Sequence, residues 1–165
     1  MSTPVEIAPP QTPPKTCLPK ELVSSTAFLL ARVGIAVKTQ VMDELERAGC
    51  GVYEYAVLAT LSEGAQETQA AIADALSLDR SQLVHVLDDL EEVGLIERKR
   101  DPNDRRRHTV SITAEGKSRL VTLRSTVKRI EQSVLEPLDE ESRKALHEAL
   151  HRVACNYDPR YSRPS

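Results

Sequence analysis

The sequence predicts a mainly α-helical protein with one small β-hairpin, and three observations predict it. Apolar residues recur at three- and four-residue spacing through most of residues 20–155. That period gives way once to alternation, where Val110 and Ile112 interleave with Ser111 and Thr113. Six of the ten prolines (Pro4, Pro9, Pro10, Pro13, Pro14 and Pro19) stand before residue 20, so the interior is free to be helical.

Taken in order, residues 1–18 read as a disordered proline-rich arm ahead of one domain over 19–157. Leu22, Leu29, Leu30, Val33, Val37, Val41 and Leu45 mark a long amphipathic helix over about 20–48, stopped by Gly49 and Gly51. Shorter helices follow at about 53–62, 68–76 and 80–93, the last ending at Gly94. Leu95–Arg100 and Thr109–Thr113 have strand character, and Asp101-Pro102-Asn103-Asp104 between them is turn chemistry, so they form a hairpin. Thr113 is an N-cap for a helix over about 114–135, with Glu115 in its first turn. Pro137 separates it from a last helix over about 139–155, and 158–165 reads as a flexible tail. The long helices at about 20–48 and 114–155 flank a compact lobe at about 53–113.

Composition narrows the function classes. No apolar run approaches the roughly 20 residues that a membrane helix needs, and the N-terminus lacks the basic start and apolar stretch of a secretory signal. Three cysteines (Cys17, Cys50, Cys155), far apart and without C-x-x-C, argue against a disulfide framework or zinc knuckle and fit a reducing cytoplasm. With 22 basic and 25 acidic side chains the net charge is −3, so affinity for a polyanion must come from local placement of charge.

The helix over 114–135 carries Gly116, Leu120, Leu123, Val127, Ile130 and Val134 at steps of 4, 3, 4, 3, 4, the narrow stripe of a helix that packs along another helix. A homodimer is expected to cover it, with an intrachain bundle as the alternative.

Two short helices followed by a hairpin is the order of a winged helix-turn-helix, and spacing supports it. Counting from Gln69, the fourth, fifth, eighth, tenth, fifteenth and eighteenth positions should be apolar or small, because two helices crossing through a tight turn interlock there. Ile72, Ala73, Leu76, Leu78, Leu83 and Val86 occupy them; the turn position often given to glycine is Ser77. From Arg98 to Arg107 there are six basic residues (Arg98, Lys99, Arg100, Arg105, Arg106, Arg107) against Asp101 and Asp104, a local +4. Guanidinium groups on a strand end and past a turn tip can reach phosphates or a minor groove, although charge runs also simply face water. Residues 68–113 as a whole hold nine acids and seven bases, so DNA binding requires most acids to be turned aside. On a helical wheel Leu83, Leu87 and Leu90 face inward, and Ser81, His85, Asp88 and Glu92 face out. Ser81, Gln82 and His85 come early in the helix, where base edges of double-stranded DNA are met.

The run from Gln69 to Leu120 resembles the MarR family of transcription regulators. The resemblance is carried by D-D-L-E-E-V-G-L-I-E-R-K-R-D-P-N-D-R-R-R-H-T-V-S-I-T-A-E-G-K, residues 88–117, with its L-E-x-x-G-L-I-x-R passage, D-P-x-D-R-R tip and closing I-T-x-x-G. It implies a dimer entwined through the first, fifth and last long helices, a recognition helix at about 80–92 and a wing arginine in the minor groove. The family's wing Asp-x-Arg falls on Asp104 and Arg106. Together these readings assign Ser81, Gln82 and His85 to base contacts, Arg80, Lys99 and Arg105 to phosphates and Arg106 to the minor groove. A ligand-responsive repressor acting on a pseudo-palindromic operator is the expected function, with no enzyme activity and no cofactor. The resemblance also suggests a small aromatic or phenolic effector. Tyr53 and Tyr55 are candidates to line its pocket between the dimer helices and the lobe, or else are core tyrosines. The family's peroxide-sensing branch uses a cysteine in the first helix; the matching stretch Ala27-Phe28-Leu29-Leu30 has none, and buried or incidental thiols are expected.

Two competing functions stand beside this one. His147-Glu148-Ala149-Leu150-His151 fits H-E-x-x-H, the helix of zinc-dependent hydrolases, but nothing after His151 supplies a convincing third ligand. Leu146, Leu150 and Val153 make the same helix an ordinary packing element. A purely helical interaction protein would need no DNA.

Overall fold

A computed structural model of the chain describes residues 17–64, 67–100 and 108–162. Its elements are α1 (Lys20–Val23), α2 (Thr26–Arg47), α3 (Val52–Glu63), β1 (Glu67–Thr68), α4 (Gln69–Leu76), α5 (Arg80–Glu92), β2 (Ile96–Arg100), β3 (His108–Ile112), α6 (Ala114–Val134), α7 (Glu140–Tyr157) and a 3₁₀ turn (Pro159–Tyr161). The chain divides inside α2 into two units, residues 1–36 and 37–165.

In the first unit the helix expected over 20–48 is interrupted, because two serine hydroxyls compete with the helical ladder. Ser24 Oγ donates to the Glu21 carbonyl at 3.2 Å, closing α1. Ser25 Oγ accepts the Phe28 N–H at 3.2 Å and starts α2 afresh. Leu22, Val23, Leu29, Leu30, Val33 and Ile35 are all exposed, between 37% and 61%.

The second unit holds the core. α2 contributes Leu45 and closes through Cys50 N–H to the Leu45 carbonyl at 2.9 Å, with Gly49 at φ +68°. α3 starts where the Glu54 carboxylate accepts the Gly51 N–H at 2.7 Å, and it buries Val57, Leu58 and Leu61. These meet Ile72 of α4, Leu83, Leu87 and Leu90 of α5, Ile96 and Val110 of the sheet, and Leu120 and Leu123 of α6. As the alternation predicts, β2 and β3 pair antiparallel, with Ile96 opposite Ile112 and Arg98 opposite Val110. A third strand was not legible: β1 pairs with β3 (Glu67 opposite Val110), giving the order β1-β3-β2. Two residues are too few to show a period.

Thr113 does cap α6, accepting the Gly116 N–H at 3.0 Å. The stripe on α6, however, is spent within the chain. Gly116, Leu120, Leu123 and Ile130 are buried in the single subunit, and Leu120 and Leu123 belong to its core. The expectation that a dimer partner covers this stripe is therefore corrected in favour of intrachain packing, since α3 lies against it. α7 is the helix left open. It buries no residue, and Leu146, Leu150 and Val153 are 36%, 39% and 50% exposed. Within the tail expected over 158–165, Pro159–Tyr161 forms a 3₁₀ turn capped by Asp158, whose carboxylate accepts the Arg160 N–H at 3.0 Å; residues 163–165 lie outside the described residues. No described helix is long and apolar enough to cross a membrane.

Burial pushes the Cys50 thiol up to about 11, with the Glu54 carboxylate acting in the same direction. A thiol held protonated in the core is a poor nucleophile. In a thiol titration with an aromatic disulfide reagent, exposed Cys17 reacts in the native protein, whereas Cys50 reacts only after denaturant is added. Rapid native labelling of Cys50 would contradict this packing.

Candidate nucleic-acid interface

α4 and α5 interlock as the spacing from Gln69 predicts. Ile72, Ala73, Leu78 and Leu83 are buried, and Leu76 and Val86 pack against them. Ser77 turns the corner at φ +53°, and Leu78 N–H bonds to the Ala73 carbonyl at 3.0 Å.

α5 is started by Asp79, a residue the sequence reading did not single out. Its carboxylate accepts the Gln82 N–H at 2.9 Å and the Ser81 hydroxyl at 2.6 Å. Those two bonds, the Ser81 hydroxyl's first, hold the Asp79 carboxyl below the usual range. The signal was present as D-x-x-Q, an N-cap followed three residues later by glutamine. With Leu83, Leu87 and Leu90 inward, Arg80, Ser81, Gln82 and His85 are all exposed on the first half of the helix. Four of the proposed contacts are thus solvent-exposed within the first two turns of α5.

The charge pattern differs from the simple count. Arg98 faces α5 instead of standing free on the hairpin. Its Nε donates to Glu91 Oε2 at 2.8 Å, its backbone N–H donates to Glu91 Oε1 at 3.0 Å, and Nη2 meets Asp88 Oδ1 at 2.7 Å. One strand cation is therefore shared by two acids on α5, which offsets one of their two charges locally. Lys99 is paired with Glu97 at 2.8 Å, with its side chain still 64% exposed. Asp104, Arg105 and Arg106 lie outside the described residues.

The bond from Arg98 holds the Glu91 carboxyl below the usual range. Because the folded value is depressed, the associated stability is present above the ordinary carboxylate range and is lost as pH falls through the folded value. Urea midpoints measured downward from pH 7 should fall less steeply in Glu91→Gln than in the parent. Identical acid limbs would show that the pair contributes nothing; half-exposed pairs give at most about 1 kcal/mol.

Tyr53 is 50% exposed, and Tyr55 packs against the core. A groove of about 450 Å³ lies elsewhere, between α6 and α7, with Lys128, Leu135, Arg143, His147 and Leu150 among its lining. On α7 the His147 and His151 rings stack with centroids 6.2 Å apart. His151 Nε2 lies 3.2 Å from the Tyr161 carbonyl oxygen. Among the described residues no three His, Cys, Asp or Glu side chains are gathered to hold a metal ion.

The MarR family model matches residues 53–108, the lobe just described. A transcriptional regulator of the MarR family from Rhodococcus sp. RHA1 is 31% identical and superposes with a TM-score of 0.70, over 82% of this chain and 96% of that one. The transcriptional repressor CouR, solved on a 23-mer DNA duplex, is 29% identical with a TM-score of 0.73, over 84% and 99%. CouR from Rhodococcus jostii RHA1 was also solved with p-coumaroyl-CoA, at 28% identity and a TM-score of 0.67, over 82% and 96%. A Thauera aromatica protein described as a transcriptional regulatory protein for the hcr operon is 34% identical over 99 residues. That match takes in 60% of this chain and 60% of the Thauera protein's own length. From the interlocked α4–α5 pair, the β2–β3 wing strands and these likenesses, the chain belongs to the MarR family of winged-helix regulators.

Proposed function

We propose that the chain is a sequence-specific DNA-binding transcriptional regulator that works as a homodimer, most simply as a repressor. The observation that carries this reading is the exposure of Arg80, Ser81, Gln82 and His85 on the first half of a capped helix, with Arg98 paired to the acids Glu91 and Asp88 farther along it. α5 enters a major groove with Ser81, Gln82 and His85 at base edges. Arg80, Lys99 and Arg105 meet phosphates, and Arg106 of the Asp-x-Arg pattern at 104–106 is assigned to the flanking minor groove. Members of this family are regulators and not enzymes, which sets the zinc-hydrolase alternative aside. Two uncovered apolar faces support the dimer: Leu29, Leu30 and Val33 on α2, and Leu146, Leu150 and Val153 on α7. Two-fold symmetry of the protein then requires a pseudo-palindromic operator with half-sites about one helical turn apart.

A small aromatic or phenolic effector is part of the proposal, supported by the p-coumaroyl-CoA found on the related CouR. Tyr53, half exposed at the start of α3, is the candidate ring to meet it, whereas Tyr55 packs against the core. Binding would shift the lobes between two arrangements of unequal DNA affinity.

The test is a fluorescence-anisotropy titration of the full chain against its own upstream region, with a scrambled duplex as competitor. Retention of the upstream duplex against an excess of scrambled DNA supports the reading. Equal affinity for both would remove sequence specificity from it.

A further inference from the structure

Ser77, at φ +53° and ψ +38°, is the sole non-glycine residue with positive φ among those described. Glycine adopts this conformation freely, whereas a residue with a Cβ does so at a cost. Its backbone N–H donates to the Ala73 carbonyl and, at 3.4 Å, to the Asp74 carbonyl. Help arrives from the far end of the chain. Arg160 Nη1 donates to the Asp74 carbonyl at 3.1 Å and to Ser77 Oγ. Asp158 aims that guanidinium, accepting from Nε at 3.0 Å and 2.9 Å on its two oxygens. Asp158 is in turn fixed to α7 by its N–H on the Ala154 carbonyl at 2.9 Å. The C-terminal turn therefore fastens the end of α7 to the corner between α4 and α5.

We infer that Arg160 is a positioning residue for the recognition helix. Through the Asp74 carbonyl and Ser77 Oγ it holds the corner left-handed, and so sets the angle at which α5 is presented. This rests on the DNA-binding reading and deepens it. It also accounts for serine at a turn position often given to glycine: glycine would need no tie, and serine supplies the acceptor for one. A carbonyl at the end of α4, with a lone pair to spare, is the natural partner of a cationic side chain. Arg160 is about half exposed, so water weakens the tie and its effect is moderate.

The test combines Arg160→Ala, Ser77→Gly and the double variant in the full chain, with two readouts. Hydrogen exchange at the Ser77 and Leu78 amides should quicken roughly three- to tenfold in Arg160→Ala, the range of a solvent-weakened charged hydrogen bond. Affinity for the upstream duplex should drop by a similar factor, with the slope against log salt unchanged, because no phosphate contact is lost. In the Ser77→Gly background both effects of Arg160→Ala should largely vanish. Exchange at the corner that ignores Arg160→Ala would overturn the inference, as would an undiminished effect in the Ser77→Gly background. A salt slope shallower by about one would instead make Arg160 a direct phosphate contact, and that too would overturn it. Exchange needs no DNA, so a wild-type chain that fails to prefer its upstream duplex would sink the regulator reading while leaving the tie measurable.

Discussion

Gly116→Ala is expected to cost the protein about 2 kcal/mol, a net of two opposed terms. Alanine is the better helix former by roughly 1 kcal/mol, so at an open helical site this change would stabilise. Here an added Cβ would stand 2.1 Å from the Leu95 carbonyl oxygen and 2.8 Å from Ile112 Cγ1. The first is backbone and cannot swing aside; such overpacking costs about 3 kcal/mol. The position explains why the closing I-T-x-x-G of the sequence takes this form. Thr113 Oγ donates to the Gly94 carbonyl at 2.8 Å, and its N–H donates to the Leu95 carbonyl at 3.1 Å. The first turn of α6 is thereby pressed onto the turn between α5 and β2, leaving no room for a side chain at residue 116. Differential scanning calorimetry should show Tm lower by roughly 4–8 °C. An unchanged or raised Tm would mean that α6 is not seated on that turn.

Arg106→Ala is expected to weaken specific DNA binding by roughly tenfold or more, the loss of about 1–3 kcal/mol that follows removal of a specific guanidinium contact. It should also make the dependence of log affinity on log salt shallower by about 0.9, because one cation fewer displaces counterions. Titrations at four or five salt concentrations separate this from misfolding, which would reduce the bound fraction without changing the slope. Arg98→Ala makes an instructive contrast. Its guanidinium is tied to Glu91 and Asp88, so its loss unmasks two acids near the duplex and removes no contact. Unaltered affinity and slope in Arg106→Ala would remove the wing from the interface.

Most of this fold was legible in the sequence, because most of it rests on periodicity and punctuation. The α4–α5 interlock followed from six spaced small or apolar residues, and the ends of α2 and α5 from Gly49 and Gly94, both at positive φ. What escaped was whatever depends on chain brought from elsewhere. β1 is two residues long and exists because β3 offers it an edge. The α6 stripe has the spacing of a helix-on-helix contact, but spacing cannot say whether the partner is α3 or a second subunit. Arg98 looked like one of six hairpin cations; only its position across from α5 reveals that it serves Glu91 and Asp88. The anchoring role of Arg160 was not legible because its partners Asp74 and Ser77 lie more than 80 residues away. Of the proposed DNA contacts, those on α5 and Lys99 are exposed, while Asp104, Arg105 and Arg106 fall outside the described residues.

The measurement that bears most directly on the whole account is the mass of the complex between the full chain and its own upstream duplex, by light scattering after gel filtration. Two chains on one duplex, with that stoichiometry lost when the duplex is scrambled, is the predicted result. A single chain per duplex, or no complex that distinguishes the upstream duplex from the scrambled one, would contradict it.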